Sequence, residues 1–472
     1  MRIAPMVVNA TVLLVLSHGG FLLYADEPQG ISRLAGKVTA YDVVALTMEA
    51  EEDRLTVRVP LDGAMHALDL TRHSLRSNEF RVMVPGADGG FDNVAIPAVT
   101  TYRGVIADMP EKEVAASVIE GKLHAMIFDP IGDSLIIEPL HVQEENSNAD
   151  LYAAYVARDL IAGAALCGSD DLAGQQDGST RSDPAGELRG APGPVAGQTD
   201  IAFDADYEFY QHNGNSIAAV VADIEMILNQ VDMVYSTQVG ICYQNTGVIV
   251  RDNAADPYTS TVPNTLLCEF GDEWNANVSL PRDVAHLMTG KELDGITVGV
   301  AWNGVVCAGN FTNCNGGGLD YGLSESDYNY PDMTPLVGRV GVTSHELGHN
   351  WNACHCDQSS CTGGPGDVNC GIMNSLLNGS LLFNSRSVAA ITAHRDSRNC
   401  LDVCATDGLP GDMNCDGTVS VSDIGGFVLA LTDPSGYAAQ YPDCDIENGD
   451  INQDSSVSVS DIGPFVALLT GG

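Results

Sequence analysis

The sequence predicts a multidomain protein with a β-rich N-terminal domain, an α/β domain in the middle and a small α-helical module at the end. Its 472 residues correspond to about three domains of about 150 residues each. Between residues 32 and 166, short apolar and polar stretches alternate, which is typical of β-strands separated by turns. From Ala405 onward there are eleven acidic residues and no Lys or Arg, so the composition changes sharply at that point.

The charge and the cysteine content exclude some classes of protein. The chain has 63 Asp and Glu against 21 Lys and Arg, a formal net charge of −42. Because such a surface repels phosphate backbones, we expect no nucleic-acid partner. The 13 Cys favour an oxidising compartment with disulfides, and their odd number leaves one thiol for a different task.

Residues 1–25 have the features of a signal peptide. A positive start at Arg2 precedes an apolar run from Met6 to Leu16, and the small residue Ala25 comes before an acidic step. The alternative is an N-terminal membrane anchor, although polar residues and glycines interrupt the run. No later segment approaches the roughly 18 uninterrupted apolar residues of a membrane span. We therefore expect a secreted, extracellular protein with no membrane span in the mature chain.

The β-rich domain is predicted at residues 26–167, and a linker rich in Gly, Ser, Asp, Pro and Ala follows at residues 168–198. The α/β domain is predicted at residues 199–404. It opens with a strand near Ile201, followed by a helix whose apolar residues from Ile217 to Tyr235 fall on one face. Further strand candidates lie at residues 248–251 and 296–302. This mixture predicts α/β layers.

The strongest signal is a histidine cluster in the α/β domain. His345 and His349 lie one helical turn apart, which suits two ligands of one zinc ion. Glu346 can sit beside a zinc-bound water as its general base and pass the proton to a leaving amine. His355 can reach the same metal only if the helix ends after His349 and the chain turns back. Asn352 occupies this turn and tolerates a left-handed conformation.

Two other interpretations of the cluster remain open at this stage. Two exposed histidines on a helix without any metal would give the same local pattern. The second interpretation is a closed structural zinc site that Cys354 and Cys356 complete. Such a site would leave no open position for water and no use for Glu346.

The segment from His345 to His355 resembles the extended zinc signature of metzincin proteases, and residues 370–373 (Cys-Gly-Ile-Met) resemble their Met-turn. The resemblance implies a catalytic domain built from a mixed sheet and an active-site helix. It also implies that Met373 packs beneath the metal without binding it.

Residues 282–290 and 293–301 are similar to the reprolysin (adamalysin-type) branch of these proteases. The sequence departs from the family pattern at two positions, which affect the assignment to this branch more than the ligands and the general base. The family usually has Gly where this chain has Asn352, and the branch commonly has Asp where it has Cys356.

Residues 101–140 resemble the propeptide of reprolysins. The alternative interpretation of these residues is an unrelated β-rich domain. Such propeptides carry a cysteine switch at the place where Cys167 precedes the linker. A thiolate is a better zinc ligand than water, so Cys167 would keep the enzyme inactive until the linker is cut, near Arg181 or Arg189. Alternatively, Cys167 is simply disulfide-bonded.

Without Cys167, an even set of Cys remains for disulfides. We expect bridges among Cys354, Cys356, Cys361 and Cys370 that brace the loop around His355. Cys415 and Cys444 are the two Cys of the last module and are expected to pair.

The last module, residues 405–472, contains a repeat, in which residues 411–425 recur as 449–463. Each copy has oxygen-bearing side chains at positions 1, 3, 5 and 12 of a calcium loop, and an apolar run follows. Without a hard cation among them, these carboxylates would repel one another. The alternative interpretation of the segment is an acidic, solvated tail. The candidate ligands are Asp412, Asn414, Asp416 and Asp423 in the first loop and Asp450, Asn452, Asp454 and Asp461 in the second.

This duplication resembles a type I dockerin, a small α-helical module of the EF-hand type. The resemblance implies bound Ca²⁺ and a cohesin-like partner. Position 12 is Asp rather than the usual Glu, and Ser455 replaces the turn Gly of the second loop, which makes that site the weaker one.

The sequence thus predicts a secreted, Zn²⁺- and Ca²⁺-dependent endopeptidase that is made as a zymogen and hydrolyses protein or peptide substrates. One alternative is a catalytically inactive metzincin-like scaffold assembled through its dockerin-like module. The other is a zinc hydrolase that acts on a non-peptide bond.

Overall fold

A computed structural model describes most of the chain. It covers residues 34–140, 151–168, 197–307, 321–327, 334–404 and 411–470, except for residues 35, 52, 62, 88, 162–164, 363–365, 368, 403, 416–418, 442–443, 445 and 453–455. The predicted signal peptide and most of the predicted linker lie outside these residues.

Seventeen strands and nine helices are found in the described part of the chain. The strands are β1 (Asp42–Ala45), β2 (Thr47–Glu51), β3 (Arg54–Leu61), β4 (Ala64–Arg72), β5 (Arg76–Pro85), β6 (Phe91–Asn93), β7 (Thr101–Ile106), β8 (Met109–Ile119), β9 (Lys122–Ile127), β10 (Leu135–Pro139), β11 (Leu151–Val156), β12 (Leu166–Cys167), β13 (Gly197–Ala205), β14 (Ile241–Val250), β15 (Val284–Thr289), β16 (Thr297–Ala301) and β17 (Tyr321–Glu325). The helices are α1 (Tyr207–His212), α2 (Ile217–Val239), α3 (Pro263–Asn277), α4 (Leu336–Asn350), α5 (Ser359–Thr362), α6 (Ser385–Asp396), α7 (Ile424–Thr432), α8 (Pro434–Gln440) and α9 (Ile462–Thr470).

The alternating N-terminal segments form a nine-stranded antiparallel sheet in the order β1-β11-β10-β9-β8-β7-β4-β3-β2. In β3, Leu55, Val57 and Val59 point to one face and are buried, whereas Arg54 before them and Arg58 between Val57 and Val59 are exposed. This is the period-2 pattern that predicted the β-rich region.

The second sheet has eight strands in the order β12-β16-β17-β15-β13-β14-β5-β6. Neighbours in it are parallel except for the pairs β16–β17 and β5–β6. Successive residues of β13 pack on opposite faces: Ile201 and Phe203 join the cluster around α2, and Ala202 joins the cluster around α3. Helices thus cover this sheet on both faces, as the predicted α/β layers require.

Helix α2 lies between the two sheets. It begins after Ser216, whose side chain accepts a hydrogen bond from the amide of Ala219, and it ends at Gly240, which adopts a left-handed conformation with φ of 60°. The helix contacts β14 in one sheet and β8 in the other. Burial on both sides explains why its polar residues are inaccessible as well, which the one-sided apolar periodicity did not predict. They include Asp223, Glu225, Asn229, Gln230 and Asp232.

The predicted β-rich domain is not confined to its own sheet. β5 pairs with β14 in parallel, and β6 continues that edge, while β12 pairs with β16 at the opposite edge. The N-terminal part of the chain therefore supplies both edges of the second sheet.

The C-terminal module packs α7, α8 and α9 around a small core. Phe427 and Phe465, one from each copy of the repeat, stack with ring centroids 4.2 Å apart, and Tyr437 and Met413 are fully buried beside them. In the described part of the chain, no helix combines the length and apolarity needed to cross a bilayer.

Candidate metal centre

Helix α4 carries the first two histidines of the cluster on one buried face. His345 and His349 are 0% and 2% exposed, and their Nε2 atoms lie 3.1 Å apart. The one-turn spacing in the sequence therefore brings the two imidazoles together, as expected for residues i and i+4 of a helix.

The third histidine reaches the same point because the helix ends and the chain turns back. α4 ends at Asn350, and Asn352 has a φ of 71°, so the left-handed turn expected at this residue is present. The amide of Ala353 donates to the carbonyl of Gly348 at 2.9 Å and closes the turn. Nε2 of His355 then lies 3.0 Å from Nε2 of His345 and 3.2 Å from that of His349.

The hydrogen bonds of the other ring nitrogens set the tautomers. Nδ1 of His345 lies 2.7 Å from the carbonyl oxygen of Ile372, and Nδ1 of His349 lies 2.7 Å from that of Ala353. A ring nitrogen facing a carbonyl must carry the proton, so both Nε2 atoms present lone pairs to each other. Burial, together with the two neighbouring imidazoles, holds the pKa of His349 well below its ordinary value.

This donor set fits a zinc ion. A tetrahedral ion with nitrogen ligands at about 2.0–2.1 Å separates those nitrogens by about 3.3 Å, close to the spacings of 3.0–3.2 Å in this site. Converging lone pairs in a buried site are unfavourable unless a cation lies among them. The alternative of two exposed histidines is wrong, since both are buried.

Cys167 lies at the open side of the histidine triangle. It is buried and outside the disulfides of the described residues, so the alternative of a disulfide-bonded Cys167 is wrong. Its Sγ is 3.4 Å from Nε2 of His349, and its thiol donates to Oε2 of Glu346 at 3.3 Å. Sγ and one nitrogen of each histidine all lie within 4.8 Å of one another.

Two backbone segments hold Cys167 in this position. On one side, the amides of Leu166 and Gly168 donate to the carbonyls of Ile296 and Gly299, both at 2.8 Å. On the other side, the amide of Cys167 donates to Ser375 at 3.3 Å, and Leu377 donates to Ala165 at 3.2 Å. Residues 165–168 therefore fill a groove between β16 and residues 375–377.

Glu346 is fully buried beside the histidines. Its Oε2 accepts the Cys167 thiol, and its Oε1 has no hydrogen-bond partner among the residues that the structure describes. Burial raises the pKa of its carboxyl well above the ordinary value, and the hydrogen bond from Cys167 offsets part of this effect. A Cβ atom at Gly299 would lie 2.5 Å from Oε1, so this position of Glu346 requires a residue without a side chain on β16.

The floor of the site is formed by the segment that resembles the Met-turn. Met373 is fully buried, and a side chain at Gly348 of α4 would collide with its Sδ. The disulfides Cys354–Cys361 and Cys356–Cys370 brace the loop that carries His355, as expected. Because these sulfurs are in disulfides, the alternative of a zinc site closed by Cys354 and Cys356 is wrong.

Helix α4 makes one buried polar contact that the sequence did not predict. Glu138 of β10 accepts hydrogen bonds from the amide of Leu336, the first residue of α4, at 3.2 and 3.3 Å, and from the hydroxyl of Tyr155 at 2.5 Å. Burial raises the pKa of Glu138 to about 7. It is separated from α4 by 198 residues, and its local sequence gives no sign of this contact.

The residues of the two predicted calcium loops lie far from this centre in the chain. Asp423 accepts hydrogen bonds from the amides of Met413, Asn414 and Ser420, and in the second loop Asp461 accepts equivalent bonds from Asn452 and Ser458. Asp412, Asp423 and Asp461 are fully buried, and Asp450 is half-buried. The expected disulfide Cys415–Cys444 is present, and Asp416 and Asp454 lie outside the described residues.

The comparisons with known proteins agree with this geometry. Residues 196–383 match the reprolysin-type sequence model of metallo-peptidase family M12. The zinc metalloproteinase-disintegrin-like protein atrase-B of Naja atra is 25% identical over 331 residues, which cover 67% of this chain and 51% of that protein. Mouse disintegrin and metalloproteinase domain-containing protein 19 is 25% identical over 278 residues, 57% of this chain and 28% of that protein.

The chain thus spans about half of the length of the venom relative, or less than a third of the mouse one. Among solved structures, metalloproteinase-II from Bacteroides fragilis matches with a TM-score of 0.36 and 10% identity, over 76% of this chain and 93% of that one. The family match covers the strand β13, the helix α4 and all three histidines. Residues 196–383 therefore resemble a reprolysin-type metallopeptidase domain of family M12, and they are called the metallopeptidase domain below.

Proposed function

We propose that the protein is a secreted zinc endopeptidase made as a zymogen, in which Cys167 blocks the site. The observation that carries the proposal is the buried cluster of one thiol and three imidazoles next to Glu346. These are soft and borderline ligands that zinc prefers, and they are arranged so that three are fixed by the domain and the fourth comes from outside it.

In this proposal His345, His349 and His355 hold the ion. When bound, zinc supplies Lewis-acid chemistry for the attack of water on the peptide carbonyl. Glu346, whose Oε1 has no partner among the described residues, accepts a proton from the attacking water and gives it to the leaving amine. The buried surroundings exclude other water from this carboxylate.

The groove that contains residues 165–168 suggests how a peptide substrate binds. Ile296, Gly299, Ser375 and Leu377 offer backbone hydrogen bonds on both sides of the groove, and the chain's own segment uses all four. An extended substrate would use the same groups and would compete with that segment. This supports a site for a peptide main chain, and so peptide hydrolysis rather than cleavage of a small ester.

The test of catalysis compares the wild type with Glu346→Gln, both cut within residues 168–198. We expect the two to retain equal zinc, one ion per chain, and the variant to lose at least about 10²-fold in chelator-sensitive casein cleavage. A variant as active as the wild type would contradict the role of Glu346. A zinc-loaded wild type that cuts no protein would support the scaffold or the non-peptide hydrolase instead.

The test of the zymogen uses Cys167→Ala in the uncut chain. Without the thiol, residues 165–168, called the groove segment, lose their contact with His349 and Glu346. We therefore expect higher protease activity than in the uncut wild type. The control is Cys167→Ser, which keeps the size of the side chain but provides a much weaker zinc ligand. An uncut Cys167→Ala chain that is no more active than the wild type would contradict the switch.

Secretion and calcium binding belong to the same proposal. Five disulfides link described residues, which supports an oxidising compartment. The buried Asp412 and Asp423, with Asn414 beside them, provide the oxygen ligands that calcium prefers. We expect residues 405–472 to bind Ca²⁺ and to attach the enzyme to a cohesin-like partner. Titration of the full chain with Ca²⁺ in a calorimeter tests the expected calcium binding.

A further inference from the structure

We propose that a cut between residues 168 and 197 leaves the N-terminal region, defined as residues 34–161, bound to the metallopeptidase domain as a second, non-covalent chain. Only the short segment 165–168, which carries Cys167, leaves the groove. Activation is then a local opening rather than the loss of a domain. The protease activity expected of the cut complex rests on the proposed function, whereas the expected association of the two fragments does not.

The first support is the continuity of the backbone hydrogen bonding. β5 of the N-terminal region pairs with β14, with Val82 opposite Val248 and Met83 opposite Ile249. β14 in turn pairs with β13, the first strand of the metallopeptidase domain. If the region left, β14 would become a long, apolar edge strand, which natural sheets avoid because it aggregates.

The second support is a hydrophobic core that the two parts share. Phe80, Met126, Phe128, Ile136 and Tyr155 of the N-terminal region belong to one continuous cluster with residues of the metallopeptidase domain. The partners on α2 and α4 include Val220, Ile224, Ile227, Val231 and Val340, each 0% exposed. Dissociation would expose an apolar face of both helices, larger than the patches that monomeric proteins normally leave in water.

The third support is a set of buried polar pairs between the N-terminal region and α2. Nε and Nη2 of Arg76 donate to the two carboxylate oxygens of Glu225 at 2.5 and 2.8 Å, and these side chains are only 12% and 7% exposed. Arg103 donates to Asn229 at 2.6 Å and to Asp232 at 2.9 Å. The bidentate Arg76–Glu225 pair and the hydrogen bonds of Arg103 orient the N-terminal region against α2.

Asn229 and Glu138 extend this set to the backbone. The side-chain amide nitrogen of Asn229 donates to the carbonyls of Tyr102 and Ala116 in β7 and β8, at 3.2 and 3.0 Å. Glu138 accepts from Leu336 at the start of α4. Glu225 and Asn229 of α2 and the first amide of α4 therefore find their hydrogen-bond partners in the N-terminal region.

The groove segment is held much more weakly. Its contacts include four backbone hydrogen bonds, those of the thiol, and the packing of Ala165 on a small apolar cluster, and β12 has only two residues. Once the chain is cut after it, this strand has a loose end. Short elements with few buried apolar contacts open at low free-energy cost, whereas the shared core does not. After the cut, residues 165–168 can therefore leave the groove while the shared core stays intact.

The test places a recognition sequence for a site-specific protease between residues 169 and 196 of the full chain. After complete cutting, at micromolar concentration, we expect both fragments to elute together in one size-exclusion peak at the position of the uncut chain. Fragments that elute separately would overturn the inference. Arg76→Ala leaves Glu225 buried and unpaired, so we expect it to weaken the association at least about 100-fold. The control is Arg58→Ala, at an exposed position of β3. Equal association in the two variants would also count against this interface.

Thiol labelling shows whether the groove segment opens. Under non-reducing conditions we expect Cys167 to react with a maleimide in the cut complex but not in the uncut chain. A Cys167 that stays protected in the cut complex would overturn the local-opening step. A labelled, co-eluting complex that cleaves no protein would leave this inference intact and refute the proposed function.

Discussion

Gly299→Ala is expected to reduce catalysis without removing the metal site. Gly299 lies on β16 directly against Glu346, and an added Cβ would be 2.5 Å from Oε1 and 2.8 Å from Cγ and Cδ. Oε1 would have to move by about 0.9 Å to reach an ordinary contact of 3.4 Å. The fold can permit this movement, because Glu346 is a flexible side chain, whereas the backbone of β16 is fixed by its pairing with β17.

The magnitude follows from the sensitivity of catalysis to position. A displacement of about 1 Å in a catalytic group costs about 10²-fold in rate, which corresponds to about 2.7 kcal/mol of transition-state stabilisation. The stability cost of one extra methyl group in a packed site is about 1–3 kcal/mol. We therefore expect the kcat of Gly299→Ala to fall about 100-fold while the chain still folds and its zinc content stays unchanged.

The assay measures kcat and KM on a peptide substrate after cutting of the linker, together with zinc content and thermal unfolding. Gly341→Ala is the matched control, since Gly341 is also buried, lies on the helix of His345 and has nothing within 4 Å of an added Cβ. That variant should keep full activity and gain up to about 1 kcal/mol of helix stability. A Gly299→Ala enzyme with wild-type kcat would refute the positioning of Glu346 by this contact, and loss of zinc would mean that the effect is structural.

Three further results are expected. Glu138 holds its proton to a pKa of about 7 in the fold but about 4.5 in the unfolded chain, so its own contribution to stability falls by up to about 3 kcal/mol as the pH rises from 4.5 to 7. The buried carboxyls of Asp206 and Glu325 also have pKa values raised to about 7, so Glu138→Gln should still lose stability over this range, but by up to about 3 kcal/mol less than the wild type; an equal loss in the two proteins, measured by thermal unfolding, would contradict this. Gly348→Ala should destabilise the domain by about 1–3 kcal/mol in a denaturant titration, because its methyl group collides with Met373, and Gly341→Ala again serves as the control. Asp423→Asn should lower the calcium bound per chain by one ion in calorimetry, and unchanged binding would exclude the first loop as a site.

The histidine cluster could be predicted from the sequence because its geometry is local. Residues i and i+4 of a helix share a face whatever surrounds them, and the turn at Asn352 depends on one residue that tolerates a positive φ. The disulfides around His355 link residues 7 and 14 positions apart, so bridges within this loop could be expected from the sequence, although the individual pairs could not be assigned. Strands β13 and β16 and helix α2 followed from apolar periodicity for the same reason.

The relation between the N-terminal region and the metallopeptidase domain was decided only by the tertiary structure. The sequence indicated two separate units, yet β5 completes the sheet of the second unit, and Arg76 pairs with Glu225 across 149 residues. Nor did any local pattern indicate that Glu138 meets α4 or that Gly299 leaves room for Glu346. Periodicity reports which side of an element is buried but not what buries it, because contacts between distant segments depend on the packing of the whole chain. The sequence by itself identified the side chains of the histidine site, because their spacing is local, and the packing of the whole chain decided which distant segments surround them.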